Sequence, residues 1–160
     1  MSADAGSVRD HHDAGAVPPP QLHGPGGLRA FHISPGDSVR LAVLHHPDHG
    51  YGASVVLEVW DPGGAQPPNS HQRSVETFFF LHGSGTAHCD GHVRAVRAGQ
   101  LLVLAPRSVH RIVNDGQERL YAITTMTPDD GFAALIERGQ PADLDASDLA
   151  VLTGDRPPGA

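Results

Sequence analysis

Apolar and polar residues alternate in short runs through the middle of the chain, which is the pattern of half-buried β-strands. Clusters of Gly, Pro and Asp separate the runs and predict turns. The two-residue step Asp90-Gly91 is typical of a tight hairpin turn with positive φ at both positions. About nine short antiparallel strands with no long helix among them predict an all-β sandwich or barrel. The predicted strands are Phe31–Ile33, Val39–His45, Ser54–Trp60, Val75–Leu81, Thr86–Cys89, Val93–Val96, Gln100–Leu104, His110–Val113 and Leu120–Thr125.

The two ends of the chain have different patterns. The N-terminal segment is rich in Ala, Asp, Gly, His and Pro, which predicts a flexible arm. Near the other end, Asp129 can cap a short helix that runs through Glu137, and a second short helix is predicted near residues 147–152. The chain is therefore divided into a flexible arm at 1–27, a β-barrel at 28–126 and a helical tail at 127–160.

Composition narrows the class of protein. A chain of 160 residues and 16.8 kDa is long enough for one domain with tails. Its net charge of −7, with no cluster of basic residues, argues against nucleic acid as a partner. No apolar run reaches the roughly 18 residues of a membrane span, and the N-terminus lacks the apolar stretch of a secretory signal. The single cysteine, Cys89, fits a reducing compartment. We expect a cytoplasmic protein without a membrane partner.

Candidate chemistry is concentrated in one segment, residues 63–83. Asn69 and His71 are two residues apart, so on an extended chain their side chains point to the same face. Glu76 has the opposite parity, so the chain must bend within 72–74 for its carboxylate to join that face. Glu76 also heads a row of aromatic side chains, where a carboxylate is costly to bury unless it is paired or bound to a cation.

A second segment supplies a further ligand. His110 begins a predicted strand after the turn at 105–108. His71, Glu76 and His110 then make two histidines and one carboxylate, a set that suits ferrous iron and also manganese, cobalt, nickel or zinc. Three protein ligands leave coordination positions open for water, oxygen or substrate.

These two segments resemble the motifs of the cupin superfamily. The first cupin motif, G-x5-H-x-H-x3-4-E-x6-G, corresponds to Gly63, Asn69, His71, Glu76 and Gly83. The second, G-x5-P-x-G-x2-H-x3-N, corresponds to Gly99, Ala105, Arg107, His110 and Asn114. The resemblance extends over roughly residues 28–126. It implies a jelly-roll barrel, a metal bound by His71, Glu76 and His110, and a homodimer.

Three positions depart from these motifs. Asn69 replaces the first histidine, Ala105 replaces the proline, and Arg107 replaces the second glycine. Asn69 leaves three alternatives open. It is a fourth metal ligand through its amide oxygen, or it orients water or substrate beside a three-ligand site, or the metal has been lost and the remaining groups act as acid and base.

The resemblance implies an enzyme with His71, Glu76 and His110 as catalytic residues, and the first choice is an Fe(II) dioxygenase that acts on a small organic molecule. The alternatives are a metal-independent isomerase, epimerase, dehydratase or cyclase, and a non-catalytic small-molecule-binding cupin. Arg107 is a candidate for pairing with an anionic substrate, and Arg40 is a weaker one. Asn114 is predicted to hold backbone near the second motif. The predicted pocket walls are Trp60, Phe78, Phe80, Arg107 and Tyr121.

Overall fold

A computed structural model describes residues 19–154, which fold into ten strands and two α-helices. The short 3-10 turn Pro47–His49 follows the second strand. The helices are α1 (Phe132–Glu137) and α2 (Ala146–Thr153). The strands are β1 (Ala30–His32), β2 (Val39–His45), β3 (Ser54–Trp60), β4 (Val75–His82), β5 (Ser84–Cys89), β6 (His92–Arg97), β7 (Leu101–Leu104), β8 (His110–Val113), β9 (Leu120–Thr127) and β10 (Gln140–Ala142).

The strands form two antiparallel sheets. The larger sheet has the order β10-β1-β2-β3-β9-β4-β7, and the smaller has the order β6-β5-β8. Isolated bridges from Ala65 to Val113 and from Asn69 to His110 extend the smaller sheet beyond β8. The loop that carries the first motif is thereby held against the strand that carries the second. The all-β jelly-roll prediction is confirmed.

The central strands of the large sheet are buried on both faces. Inside the barrel, Trp60, Phe78 and Phe80 pack with the other residues of the main core. On the outer face, Leu57 and Tyr121 pack with Val151 and other residues of the C-terminal segment. Because α2 covers this outer face, an apolar side chain on β3 or β9 is buried whichever way it points.

Most element predictions are confirmed. β2, β3 and β8 have the predicted bounds, and the other predicted strands differ by one or two residues at an end. Asp90 and Gly91 both have positive φ, as expected for the hairpin between β5 and β6. The helix predicted from Asp129 begins at Phe132, although Asp129 still accepts a hydrogen bond from the Ala133 N–H. The prediction missed β10, whose pairing with β1 draws the C-terminal segment onto the barrel.

The flexible arm predicted at 1–27 lies outside the described residues as far as residue 18. From 19 to 27 the structure contains no strand or helix. The division into arm, barrel and tail stays a prediction. No helix within 19–154 is long and apolar enough to cross a membrane.

Candidate metal centre

The structure brings His71, Glu76 and His110 together inside the barrel, and we call these three residues the interior site. Oε2 of Glu76 lies 2.9 Å from Nε2 of His110 and 3.6 Å from Nε2 of His71. The three ligand atoms all lie within 4.8 Å of one another. Glu76 and His110 are buried, and His71 is partly buried.

Local backbone structure explains why the three side chains converge. The chain bends at Gln72 and Arg73. This bend turns the Glu76 side chain to the face that carries His71, as the spacing of the motif requires. Asn69 and His110 exchange both backbone hydrogen bonds, at 3.0 and 2.9 Å. The Arg107 N–H donates to the His71 carbonyl at 2.7 Å, so the turn of the second motif also holds the first.

Arg107 adopts a φ of +69°, the left-handed conformation that favours the glycine this position has in the cupin motif. An arginine there costs about 1 kcal/mol of backbone strain. The turn keeps its shape despite the departure from the motif.

The protonation of the two histidines depends on their neighbours. Nδ1 of His110 lies 3.2 Å from the Ser108 carbonyl, a contact that leaves Nε2 free to act as a metal ligand. Burial would lower the pKa of His110, but the neighbouring Glu76 carboxylate outweighs it and raises this pKa. For His71, burial dominates and lowers the pKa. The ring of His71 also packs edge-on against Phe132 of α1, with centroids 5.3 Å apart.

The three ligand atoms fit a divalent metal ion. Nε2 of His71, Oε2 of Glu76 and Nε2 of His110 are buried, and none of them forms a hydrogen bond of acceptable geometry within the described part of the chain. Buried polar atoms are normally paired, so three such atoms at one point need an explanation. Ligand atoms about 2.1 Å from one ion, at angles of 90–110°, lie roughly 3.0–3.4 Å apart. The two measured separations, 2.9 and 3.6 Å, bracket this range.

Asn69 lies beside the interior site and lines the same cavity. Its side-chain N–H donates to the Pro67 carbonyl at 3.2 Å, which fixes the orientation of the amide. This hydrogen bond is compatible with Asn69 as a fourth ligand or as a guide for substrate. Its role stays a prediction.

A cavity of about 120 Å³ opens next to the interior site. That volume has room for about four water molecules or one small organic molecule. Much of its wall is apolar and includes Leu41 of β2 and Phe132 and Leu135 of α1. The polar groups on its wall are Ser34, Asp37, Glu58, Gln66, Asn69, His71 and Glu76.

Glu58 is a site residue that the sequence analysis missed. It lies in the middle of β3, is 2% exposed, and lines the cavity with Glu76. Burial, followed by the negative charge of Glu76, raises the pKa of Glu58 to about 8. Its carboxyl group is therefore protonated at neutral pH and can donate a hydrogen bond. The sequence signal was a single charged residue within the apolar run of β3.

The raised pKa predicts how Glu58→Gln changes stability. In the unfolded chain Glu58 ionises near the ordinary glutamate pKa of 4.5, whereas the folded protein keeps it protonated up to about 8. Glu58 therefore favours folding most below pH 4.5, and this contribution is lost as pH rises towards 8. We expect Glu58→Gln to raise the free energy of unfolding at pH 8 by roughly 1–3 kcal/mol, and by much less at pH 4.5.

Urea unfolding with a chelator at both pH values measures the effect of Glu58→Gln. The exposed Glu118 provides a matched control, because Glu118→Gln removes a charge that is already in water. Equal stability changes for Glu58→Gln at the two pH values would contradict a protonated Glu58.

The structure corrects the predicted pocket walls. Trp60, Phe78 and Phe80 are fully buried in the core and do not line the cavity. Phe78 instead supports His110, with ring centroids 6.0 Å apart. Arg107 is exposed at its turn and is also absent from the cavity wall.

Tyr121 and Arg40 are placed on the opposite side of the sheet from the prediction. Tyr121 packs in the outer-face cluster, and its hydroxyl donates to Asp148 at 3.0 Å. Arg40 pairs with Asp148 and Asp61 there. Their side chains point away from the barrel interior. They are nevertheless buried, because the C-terminal segment covers the outer face of β2 and β9.

Asn114 has the structural role that the sequence predicts. It is fully buried, and its side-chain N–H groups donate to the Trp60 and Glu118 carbonyls, both at 2.8 Å. Its backbone pairs with Gly63 and Gly64 of the first motif. Asn114 therefore joins the ends of the two motifs.

Comparison with known proteins agrees with this geometry. The family model for the cupin domain matches residues 56–126. A search of curated protein sequences found no significant match. Many solved structures share the fold at low sequence identity.

Three of these structures illustrate the similarity. A predicted oxalate decarboxylase from Thermotoga maritima is 19% identical, with a TM-score of 0.60, over 66% of this chain and 97% of that one. A Cupin 2 conserved barrel domain protein from Salinispora arenicola is 20% identical, with a TM-score of 0.53, over 84% and 96% of the two chains. An oxalate oxidase is 21% identical, with a TM-score of 0.55, over 63% and 56%.

Proposed function

This chain belongs to the cupin superfamily, and from that premise we propose that it is an enzyme that uses a divalent metal ion to act on a small organic molecule. The observation that supports the proposal most strongly is the convergence of three buried ligand atoms in the interior site, none of which has a hydrogen bond of acceptable geometry to residues 19–154. His71, Glu76 and His110 would hold the ion. When bound, the ion would supply Lewis-acid activation or, as iron, redox chemistry.

Ferrous iron is our first choice of metal, and oxygenation is our first choice of reaction. Two histidines and one carboxylate with open positions are the ligand set of non-haem ferrous oxygenases. Manganese, nickel, cobalt and zinc suit the same donors. The similar structures include proteins named oxalate oxidase and predicted oxalate decarboxylase, so chemistry on a small organic molecule has precedent in this fold.

The residues around the interior site indicate what the protein's own side chains would contribute to the reaction. Phe132 and Leu135 of α1 form part of the cavity wall and would exclude water from the reacting groups. The carboxyl group of Glu58, whose pKa is raised chiefly by burial, would donate a hydrogen bond to a substrate oxygen, or a proton to a developing negative charge. Gln66 and Asn69 would orient the substrate through their amides.

The cavity chemistry favours a neutral substrate over a dicarboxylate. Among the residues of the described range 19–154 that line the cavity, none is an arginine, and three are carboxylic acids: Asp37, Glu58 and Glu76. An anion would have no fixed cation to bind apart from the metal and would approach the carboxylate of Asp37. We therefore propose a small, neutral and largely apolar substrate that carries at least one hydrogen-bond acceptor.

Metal analysis tests the proposed function directly. We expect protein purified without oxygen to retain about one metal ion in the interior site, and His110→Ala to lose it, because a buried ligand is removed. Metal content by mass spectrometry measures the occupancy. Oxygen uptake with a panel of small neutral compounds, before and after chelation, measures the reaction. Equal metal content in wild type and His110→Ala, with turnover unaffected by chelation, would end the metal-dependent assignment.

A metal-independent acid–base enzyme, such as an isomerase or dehydratase, is the second candidate. It is favoured by one observation: Glu58, held protonated, shares the cavity with His71, whose pKa is lowered towards the neutral form. One group could donate a proton while the other accepts one. Asn69→His separates the two candidates, since gain of metal with loss of turnover would favour this second function.

The predicted homodimer and cytoplasmic location stay predictions. An exposed apolar face within residues 19–154 supports the proposed pairing. It is formed by residues of β4 and of β7, and β7 is an edge strand of the large sheet. Such residues cost free energy when left in water, and an edge strand has unpaired backbone groups. We propose a second copy of the chain as the occupant. The four residues are Val75, Phe79, Leu101 and Val103.

A further inference from the structure

Three histidines outside the cupin motifs meet at the protein surface, and we call them the histidine cluster: His23, His45 and His49. His45 ends β2, His49 ends the 3-10 turn that follows, and His23 comes from the segment before β1. Their ring centroids are 5.3–5.4 Å apart. Each offers a ring nitrogen within 4.8 Å of the other two.

We propose that the histidine cluster is a second metal site, which binds a divalent transition metal such as zinc or copper(II). Three imidazoles are ligands that suit both ions, and exposure of His23 and His49 leaves room for water to complete the coordination. The site shares no residue with the interior site. It is independent of the proposed enzymatic function.

The backbone brings the three rings together by specific contacts. The register of β2 on β3 shifts between Val43 and His45, and an irregularity of this kind re-aims side chains at the end of a strand. The side-chain N–H of Gln21 donates to the His49 carbonyl at 3.0 Å, which holds the segment carrying His23 over the turn. The Tyr51 hydroxyl donates to the Pro19 carbonyl at 3.3 Å and anchors the same segment.

The contacts of the rings also favour metal binding. Nδ1 of His45 and Nε2 of His23 are 3.3 Å apart, a long contact that a shared ion could replace with two stronger bonds. Nearby carboxylates of Asp48 and Glu137, which flank His46, would offset part of the added charge.

Binding there would fasten the N-terminal segment to the barrel. The ligands come from the segment before β1 and from the β2 end, and they are separated by more than twenty residues in sequence. A ligand that binds only the folded arrangement stabilises it by a free energy that grows with the logarithm of the free ligand concentration above the dissociation constant. The expected consequence is a zinc-dependent rise in the unfolding temperature.

Zinc titration tests the second site. Equilibrium dialysis with metal counting should show that wild type binds about one zinc per chain more than His23→Ala or His49→Ala, because each variant leaves only two ligands. Both residues are exposed, so neither substitution removes core packing. His88→Ala and His92→Ala are matched controls on the β5–β6 hairpin, where both histidines are exposed, and they should bind as wild type does.

Repeating the comparison in a His110→Ala background separates the two metal proposals, since the interior site is then disabled. Zinc should still raise the unfolding temperature of His110→Ala, and adding His23→Ala should abolish that rise. If zinc stoichiometry and the temperature shift are unchanged by His23→Ala and His49→Ala, or fall equally in His88→Ala, the histidine cluster is not a metal site. Neither result depends on the metal content of the interior site, which the comparison of wild type with His110→Ala measures separately.

Discussion

Glu76→Gln is expected to abolish tight metal binding at the interior site while leaving the fold intact. Glu76 is the only anionic ligand of the three, and its Oε2 is the atom closest to both histidines. Glutamine has the same shape, so no void opens in the core, but its neutral amide is a weaker ligand. Loss of a residue that merely supports a ligand weakens metal binding by about 10–100-fold, and loss of the ligand itself should exceed about 100-fold. Metal competition dialysis measures the change, and turnover should fall with occupancy.

Asp37→Asn provides the matched control for Glu76→Gln. Asp37 lines the same cavity and carries a carboxylate, but it is not part of the converging set, and its Oδ1 accepts a hydrogen bond from the Val39 N–H. It should change metal affinity by less than about threefold, since its effect is only a more distant charge. Equal losses in the two variants would mean that cavity charge, rather than coordination, controls binding. Unchanged affinity in Glu76→Gln would exclude Glu76 as a ligand.

The interior site could be predicted from sequence because the spacing of residues within each motif determines most of its geometry. Spacing within the first motif requires a bend before Glu76, and the structure has that bend. Spacing within the second motif places His110 at the start of a strand, where it is found. Only the contact between the motifs is non-local. Paired backbone hydrogen bonds between Asn69 and His110 supply it.

The pocket walls could not be predicted in the same way because β2, β3 and β9 are buried on both faces. Alternation tells which residues share a face but not which face is inside. The sequence therefore predicts Tyr121 on the cavity wall, although its neighbours on that face pack under α2. Glu58 is the opposite case, a cavity residue that the sequence analysis did not predict. Its parity matches Trp60 on the inner face, and a lone carboxyl within an apolar run was the available signal.

The histidine cluster shows a further limit of sequence patterns. His45 and His49 surround a turn, as surface histidines often do, and nothing local distinguishes them. His23 joins them only because Gln21 and Tyr51 hold the N-terminal segment in place. Long-range contacts of this kind have no periodicity, and the same reason explains why β10 was missed.

Asp148→Ala is expected to be the most destabilising single substitution outside the core. Asp148 lies in the first turn of α2 and is fully buried, and its carboxylate accepts hydrogen bonds from Arg40, from Arg119 at 3.1 Å and from the Tyr121 hydroxyl at 3.0 Å. It also accepts from the Asp145 N–H, which completes the capping box at the start of α2. Removing it leaves Arg40, a residue that is only 7% exposed, without its most buried partner. Breaking a buried pair in this way costs about 3–5 kcal/mol.

Urea unfolding of Asp148→Ala measures this cost, with Asp143→Ala as the matched control. Asp143 lies in the same segment, but it contacts Arg40 through its backbone carbonyl, so truncating its side chain should change stability by less than about 0.5 kcal/mol. Arg40→Met combined with Asp148→Leu should recover most of the loss, because apolar residues replace both charges and leave neither unpaired. A loss below about 1 kcal/mol in Asp148→Ala would mean that water reaches the carboxylate.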